Sequence, residues 1–106
     1  MGKVNLIGSI AALLASAPKN AEVLLRIEHS LGYARVEDKY GNGYDIMGSR
    51  DGGVTVEMFW DRGEFGDRWV ISPCGDSVSY TSFPDEAGYP RPVPSWVVWE
   101  EEDSHG

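Results

Sequence analysis

The chain has 106 residues and a net charge of −8, and 42% of its residues are hydrophobic. This length predicts a single domain, residues 1–106, with one core. One cysteine, Cys74, excludes an intrachain disulfide and a disulfide-stapled secreted scaffold, and we expect its thiol to be buried and unreactive. The longest apolar run, residues 10–15, is too short to cross a membrane and lacks the flanks of a signal peptide, so we expect a cytoplasmic protein without membrane contact.

The charge is unevenly distributed along the chain. Residues 1–50 carry a net charge of +1, whereas residues 51–106 carry −9. Such a surface repels nucleic acid and anionic membranes and attracts a basic protein surface. We therefore expect no direct nucleic-acid binding. A solvated acidic face without a binding role is the alternative.

The first predicted element is a helix over residues 4–17. Its apolar positions recur at helical spacing on one stripe, formed by Leu6, Ile10, Leu13, Leu14 and Ala17. Asn5 can cap the start, and Pro18 ends the helix because the residue before a proline is pushed out of the helical region.

A series of strands follows, predicted from alternating apolar and polar residues at 21–28 and 54–60 and from the turns that bound the other segments. The segments are residues 21–28, 33–37, 44–47, Val54–Trp60, 68–72 and 77–81. Turn residues separate most of them, at 41–43, 49–53 and 73–76. The first strand is predicted to be half-buried, with Ala21, Val23, Leu25 and Ile27 sharing one face. Its composition also suits a helix, which stays an alternative.

The character of the chain changes after Phe83. Four prolines between residues 84 and 94 exclude regular helix or sheet, and residues 89–94 are predicted to form polyproline II. Residues 96–99 are predicted to form a last short strand, and residues 100–106 a disordered acidic tail. The predicted fold is α+β, with one N-terminal helix packed on a mainly antiparallel β-meander of five to six strands and a Pro-rich C-terminal segment.

The sequence has no motif for catalysis, a metal or a cofactor. His29 and His105 are far apart, and no Cys/His spacing is typical of zinc. Residues 61–67 lack the third and fifth ligands of a calcium loop, and residues 41–43 lack the rest of a dinucleotide motif. We therefore expect no enzyme activity, no cofactor and no metal. The alternative is a small-ligand-binding or enzymatic domain with an aromatic pocket of Tyr33, Tyr44, Trp60 and Trp69.

Aromatic and acidic residues coincide in the second half of the chain, as they do in many binding surfaces. We expect Trp60 and Trp69, which lie within strands, to be core residues, and leave Trp96 and Trp99 open between core and contact. The predicted partner-binding residues are Asp61, Glu64, Phe65, Asp67, Asp85, Glu86, Trp96, Trp99, Glu100, Glu101 and Glu102.

The stretch LLASAPKNAEV at residues 13–23, followed by Arg26, Ile27 and Glu28, resembles small bacteriophage accessory proteins. In these proteins a short helix leads through a proline turn into a strand and a meander. The resemblance covers roughly the first thirty residues and has no catalytic residues to transfer. It implies an accessory protein, a class that includes anti-CRISPR inhibitors whose acidic surfaces occupy nucleic-acid channels.

We therefore predict a non-enzymatic phage-type inhibitor in the host cytoplasm. Its acidic face would block a basic, nucleic-acid-binding surface of a partner protein. A structural or assembly protein of a phage particle is a further alternative, for which a homo-oligomer is expected.

Overall fold

One helix packs on a six-stranded antiparallel sheet in the computed structural model, which describes residues 2–28, 31–84 and 90–100. The helix is α1 (Leu6–Ser16), and the strands are β1 (Glu22–Glu28), β2 (Leu31–Glu37), β3 (Gly43–Gly48), β4 (Val54–Trp60), β5 (Phe65–Ile71) and β6 (Val78–Phe83). Their spatial order is their chain order, so the sheet is a meander. The predicted α+β class is confirmed, and residues 22–28 form a strand rather than a helix.

Helix α1 is shorter than the predicted range of residues 4–17, but Asn5 caps its start as expected. The side-chain oxygen of Asn5 accepts a hydrogen bond from the backbone N–H of Gly8 at 2.8 Å. The helix lies close to the sheet over two glycines. A Cβ atom at Gly32 would lie 2.9 Å from Ile10 Cδ1, and one at Gly48 would lie 2.6 Å from Leu6 Cδ2. A side chain at either glycine would therefore require the terminal methyl groups of Ile10 or Leu6 to shift.

Residues 90–100 cover the same face of the sheet beside α1. The indole N–H of Trp69 donates to the backbone oxygen of Arg91 at 2.8 Å, and the backbone N–H of Val98 donates to Ser9 Oγ at 2.8 Å. The predicted last strand is wrong, because Trp99 alone among residues 96–99 pairs with another strand-like residue, in an isolated bridge to Val4. This segment is held by side-chain hydrogen bonds and by backbone hydrogen bonds to Lys3 and Asn5 rather than by a continuous ladder.

The core lies between the sheet and this two-part cover. Trp69 is buried there, which confirms the prediction for this residue. The buried apolar cluster consists of Val4, Ile10, Leu13, Ala34, Val36, Ile46, Val54, Val56, Trp69, Ile71 and Val97. Within the described part of the chain, no helix is long and apolar enough to cross a bilayer.

Strand β1 differs from the prediction, because all seven of its residues are exposed. Val23 and Leu25 pair with Val36 and Ala34 of β2, whose side chains are buried under the cover. They therefore face the same side, but β1 is an edge strand and α1 packs on β2 and β3. The residues of β1 alternate between the two faces as predicted. Their expected burial is wrong, because α1 covers β2 and β3 but does not extend over β1.

Candidate functional site

The sequence-predicted contact residues do not form one surface. Asp61, Glu64 and Phe65 lie where β4 turns into β5. Glu100 lies at the opposite end of the sheet, where its N–H donates to the backbone oxygen of Lys3 at 2.7 Å and its carboxylate is 3.7 Å from Lys3 Nζ. Asp85, Glu86, Glu101 and Glu102, like the rest of the predicted tail after Glu100, lie outside the described residues.

Three of the predicted contact residues pack inward. Asp67 is buried, and its carboxylate accepts a hydrogen bond from the Tyr80 hydroxyl and lies 3.6 Å from Arg91 Nη1. This hydrogen bond, followed by burial and the negative charge of Asp67, raises the pKa of Tyr80. Trp96 and Trp99 are half-buried against the core cluster. Asp67 therefore holds the C-terminal segment on the sheet instead of facing solvent.

Two large aromatic side chains are exposed side by side at the end of β4 and the start of β5. Trp60 and Phe65 are cross-strand partners, and they are 38% and 40% exposed. The prediction that Trp60 is a core residue is wrong, because it ends β4 beyond the main core. We call Tyr40, Trp60, Asp61, Glu64 and Phe65 the end surface.

The loop that carries the end surface is fixed in an unusual conformation. Asp61 and Arg62 have φ angles of 53° and 60°, and Gly63 follows at 94°. The left-handed region costs a non-glycine residue about 1 kcal/mol. The backbone N–H of Arg62 donates to the oxygen of Gly41 at 2.8 Å, which ties this loop to the turn between β2 and β3. This strained loop presents its flanking aromatics in a defined geometry.

Tyr40 lies in the turn between β2 and β3, at the same end of the sheet as Trp60 and Phe65, and is 72% exposed. Asp61 and Glu64 are exposed between Trp60 and Phe65, and the cations Lys39 and Arg62 lie close by. Five of the seventeen acidic residues, at positions 85, 86 and 101–103, lie outside the described residues. Much of the acidic excess of the second half therefore belongs to segments that the structure does not describe.

An apolar cavity of about 320 Å³ opens beside the end surface. It lies between the C-terminal end of α1 and the sheet, and its lining includes Leu13, Pro18, Tyr44, Met58 and Trp60. Of the predicted aromatic pocket, Tyr44 and Trp60 line this cavity. Trp69 belongs to the core, and Tyr33 lies on the opposite face of the sheet, next to buried Ala34 in the strand alternation.

A row of charged side chains crosses the sheet face opposite α1. Arg35, Asp45, Glu57 and Arg68 are successive cross-strand partners on β2 to β5, and we call them the charged row. Arg68 Nε is 2.7 Å from Glu57 Oε2, and Arg35 Nη1 is 3.6 Å from Asp45 Oδ2. Asp45 is 5% exposed. Burial, with the hydrogen bond and charge of Glu57, raises the pKa of Asp45 to about 8.

The sequence reasoning missed the charged row, although the signal was present. Each of its members is a charged residue at a polar position of a strand, on the face opposite the apolar residues. Pairing neighbouring strands across their turns would have placed the four side chains in one line. Within the row Arg68 pairs with Glu57, while Arg35 also pairs with Glu37 at 2.8 Å, and the row lies on the opposite face from the core.

The remaining reactive groups of the described residues are Cys74 and scattered carboxylates. Cys74 is exposed in the turn between β5 and β6, so the expected buried thiol is wrong. Among the described residues, no three His, Cys, Asp or Glu side chains are grouped closely enough to hold a metal ion. Both histidines lie outside the described residues.

Comparison of the chain with protein-family models, with curated proteins and with solved structures found no match.

Proposed function

We propose that this protein is a non-enzymatic binding protein that docks its end surface on a basic surface of another protein. The observation that carries the proposal is the exposed pair Trp60 and Phe65, held beside two carboxylates by a strained and tethered loop. Aromatic side chains contribute large contact areas and are enriched among the residues that dominate binding energy. Because the loop is already fixed, little conformational entropy is lost when it docks.

The charge distribution supports a basic partner. Asp61 and Glu64 are exposed in the loop between Trp60 and Phe65, and residues 51–106 carry a net charge of −9. Complementary charge speeds association and selects among partners. Proteins that bind nucleic acid have basic surfaces, so an acidic protein of this kind can compete with nucleic acid for them. The resemblance of the first thirty residues to small phage proteins makes host nucleic-acid-binding machinery the first partner to test. Asp85, Glu86, Glu101 and Glu102 remain predicted contacts.

The experiment compares retention of a captured partner by the wild-type chain and by Phe65→Ala. The matched control is Val78→Ala, because Val78 is also 40% exposed but lies at the opposite end of the sheet. We expect a captured nucleic-acid-binding protein to be retained by wild type and V78A at low salt, and to be lost with F65A. It should also be released by added DNA or RNA and by roughly 0.5 M salt, which screens surface charges.

Two outcomes contradict the proposal. One is a partner that F65A retains as well as the wild type does. The other is retention that is insensitive to roughly 0.5 M salt and to competing nucleic acid, because a contact between charged surfaces weakens under both conditions.

The cavity beside the end surface favours a second candidate function, the binding of a small apolar ligand. Its volume of about 320 Å³ lies at the lower end of ligand sites, and apolar side chains dominate its lining. A thermal-shift screen with small aromatic and aliphatic compounds tests this function. Stabilisation that is lost in Tyr44→Ala would favour a ligand-binding role over protein docking.

A further inference from the structure

The free edge of β1 is the most apolar strand edge of the sheet. Val23, Leu24, Leu25 and Ile27 are each about half exposed. The other edge strand, β6, has the sequence VSYTSF and is richer in hydroxyl side chains. An edge strand presents unpaired backbone N–H and C=O groups that can pair with another strand. Among the described residues no other strand pairs with this long apolar edge, so it is open to pairing with another strand.

We propose that a second copy of this chain occupies the β1 edge, so that the protein forms a two-fold dimer through antiparallel β1 pairing. The two-fold axis would pass through Leu24. In that register Glu22 lies opposite Arg26 of the second copy, and Val23 lies opposite Leu25 of the second copy. Each contact occurs twice because a two-fold interface is self-complementary.

Charge complementarity selects both the occupant and the register. Glu22 and Arg26 are exposed on the same face of β1, and neither side chain has an ion-pair partner among the described residues. Glu22 also lies opposite Glu37 across the β1–β2 ladder, an unfavourable pairing of like charges. Arg26 of the second copy would lie on the other side of Glu22 and offset this repulsion. Moving the axis to Leu25 would instead place Glu22 opposite Glu28 of the second copy.

The apolar face supports the same arrangement. Val23, Leu25 and Ile27 face the side of the sheet that carries α1, which packs on the neighbouring strand β2. A two-fold axis perpendicular to the sheet would join the two apolar strips into one, bordered by both helices.

Sedimentation velocity over a wide concentration range, with charge-reversal variants, tests the dimer. The wild-type chain should move from 11.7 kDa to twice that mass, with a Kd on the order of 10–100 μM because the interface is small. Glu22→Arg and Arg26→Glu should each weaken the dimer about tenfold or more, since each places like charges opposite one another. The double variant E22R/R26E should restore it, and an equimolar mixture of the two single variants should form heterodimers.

The matched control is Arg50→Glu, which changes the net charge as R26E does but at an exposed position in the β3–β4 turn. It should leave the dimer intact, and far-UV circular dichroism checks that every variant is folded. A wild-type chain that stays monomeric at about 1 mM would overturn the proposal, whether or not β1 pairs with a strand of another protein. So would a dimer that E22R leaves unchanged or that the double variant fails to restore. Phe65→Ala should not alter the dimer, so this proposal and the proposed function fail independently.

Discussion

Asp45→Asn should remove a pH dependence of folding stability that the charged row imposes. The pKa of Asp45 is raised from 3.8 to about 8 by burial and by Glu57, so the folded protein holds a proton that the unfolded chain releases above pH 4. A raised pKa contributes stability that is complete below the unfolded value and is lost as the pH rises through the folded value. The wild-type free energy of unfolding should therefore fall between pH 4 and pH 8.

The size of this effect follows from the number of protons and from the pH interval. One proton changes the free energy of unfolding by at most about 1.4 kcal/mol per pH unit. The raised pKa of Asp45 already includes the opposing attraction of Arg35 and Arg68 for the ionised form. We therefore expect a loss of about 3–4 kcal/mol between pH 5 and pH 8 in the wild type, and a flatter profile in D45N.

Urea unfolding of both chains at pH 5, 6, 7 and 8 measures this difference. Every other titrating group is common to the two chains, so the difference between their profiles reports Asp45. Asp51→Asn is the matched control, because Ser49 and Gly53 lower the pKa of that exposed carboxyl and its contribution is lost only in acid. Parallel profiles for wild type and D45N, or a wild-type stability that rises from pH 5 to pH 8, would refute the reasoning.

Three further substitutions test the fold around the site, each by urea unfolding at neutral pH. Asn5→Ala removes the cap that accepts from Gly8 and should cost about 1 kcal/mol, and an unchanged midpoint would contradict the cap. Tyr80→Phe leaves the buried carboxylate of Asp67 without its hydroxyl donor and should cost about 1–3 kcal/mol, whereas a loss below about 0.5 kcal/mol would place that carboxylate in solvent. Arg62→Gly relieves a left-handed residue and should stabilise by about 0.5–1 kcal/mol, and destabilisation would show that the strain is absent.

The local sequence pattern predicted where the helix and strands lie better than it predicted which of their residues are buried. Alternation and turn residues together located all six strands, and the strand Val54–Trp60 has the predicted bounds. Alternation does not say which strand lies at an edge or where the cover ends, so Val23 was wrongly assigned to a buried face. The same limit applies to Trp60, whose exposure depends on its place at the end of β4.

The candidate site was predicted in part. Asp61, Glu64 and Phe65 were chosen for their charge and aromatic character, and the structure places them together at one end of the sheet. Asp67 belongs to the same sequence stretch and shares a strand face with Phe65, but it lies further along β5, where Arg91 of the C-terminal segment contacts it and it is buried. The partnership of Asp67 with Tyr80 and Arg91 depends on long-range packing, which one sequence does not reveal.

Hydrogen–deuterium exchange of this chain with and without its captured partner tests the central claim most directly. The claim is that the end surface is the docking site. It predicts slower exchange on binding at residues 60–65 and at the adjoining turn of residues 38–42, with unchanged exchange at residues 72–77 at the opposite end of the sheet. Slower exchange confined to residues 72–77, with none at residues 60–65, would contradict it.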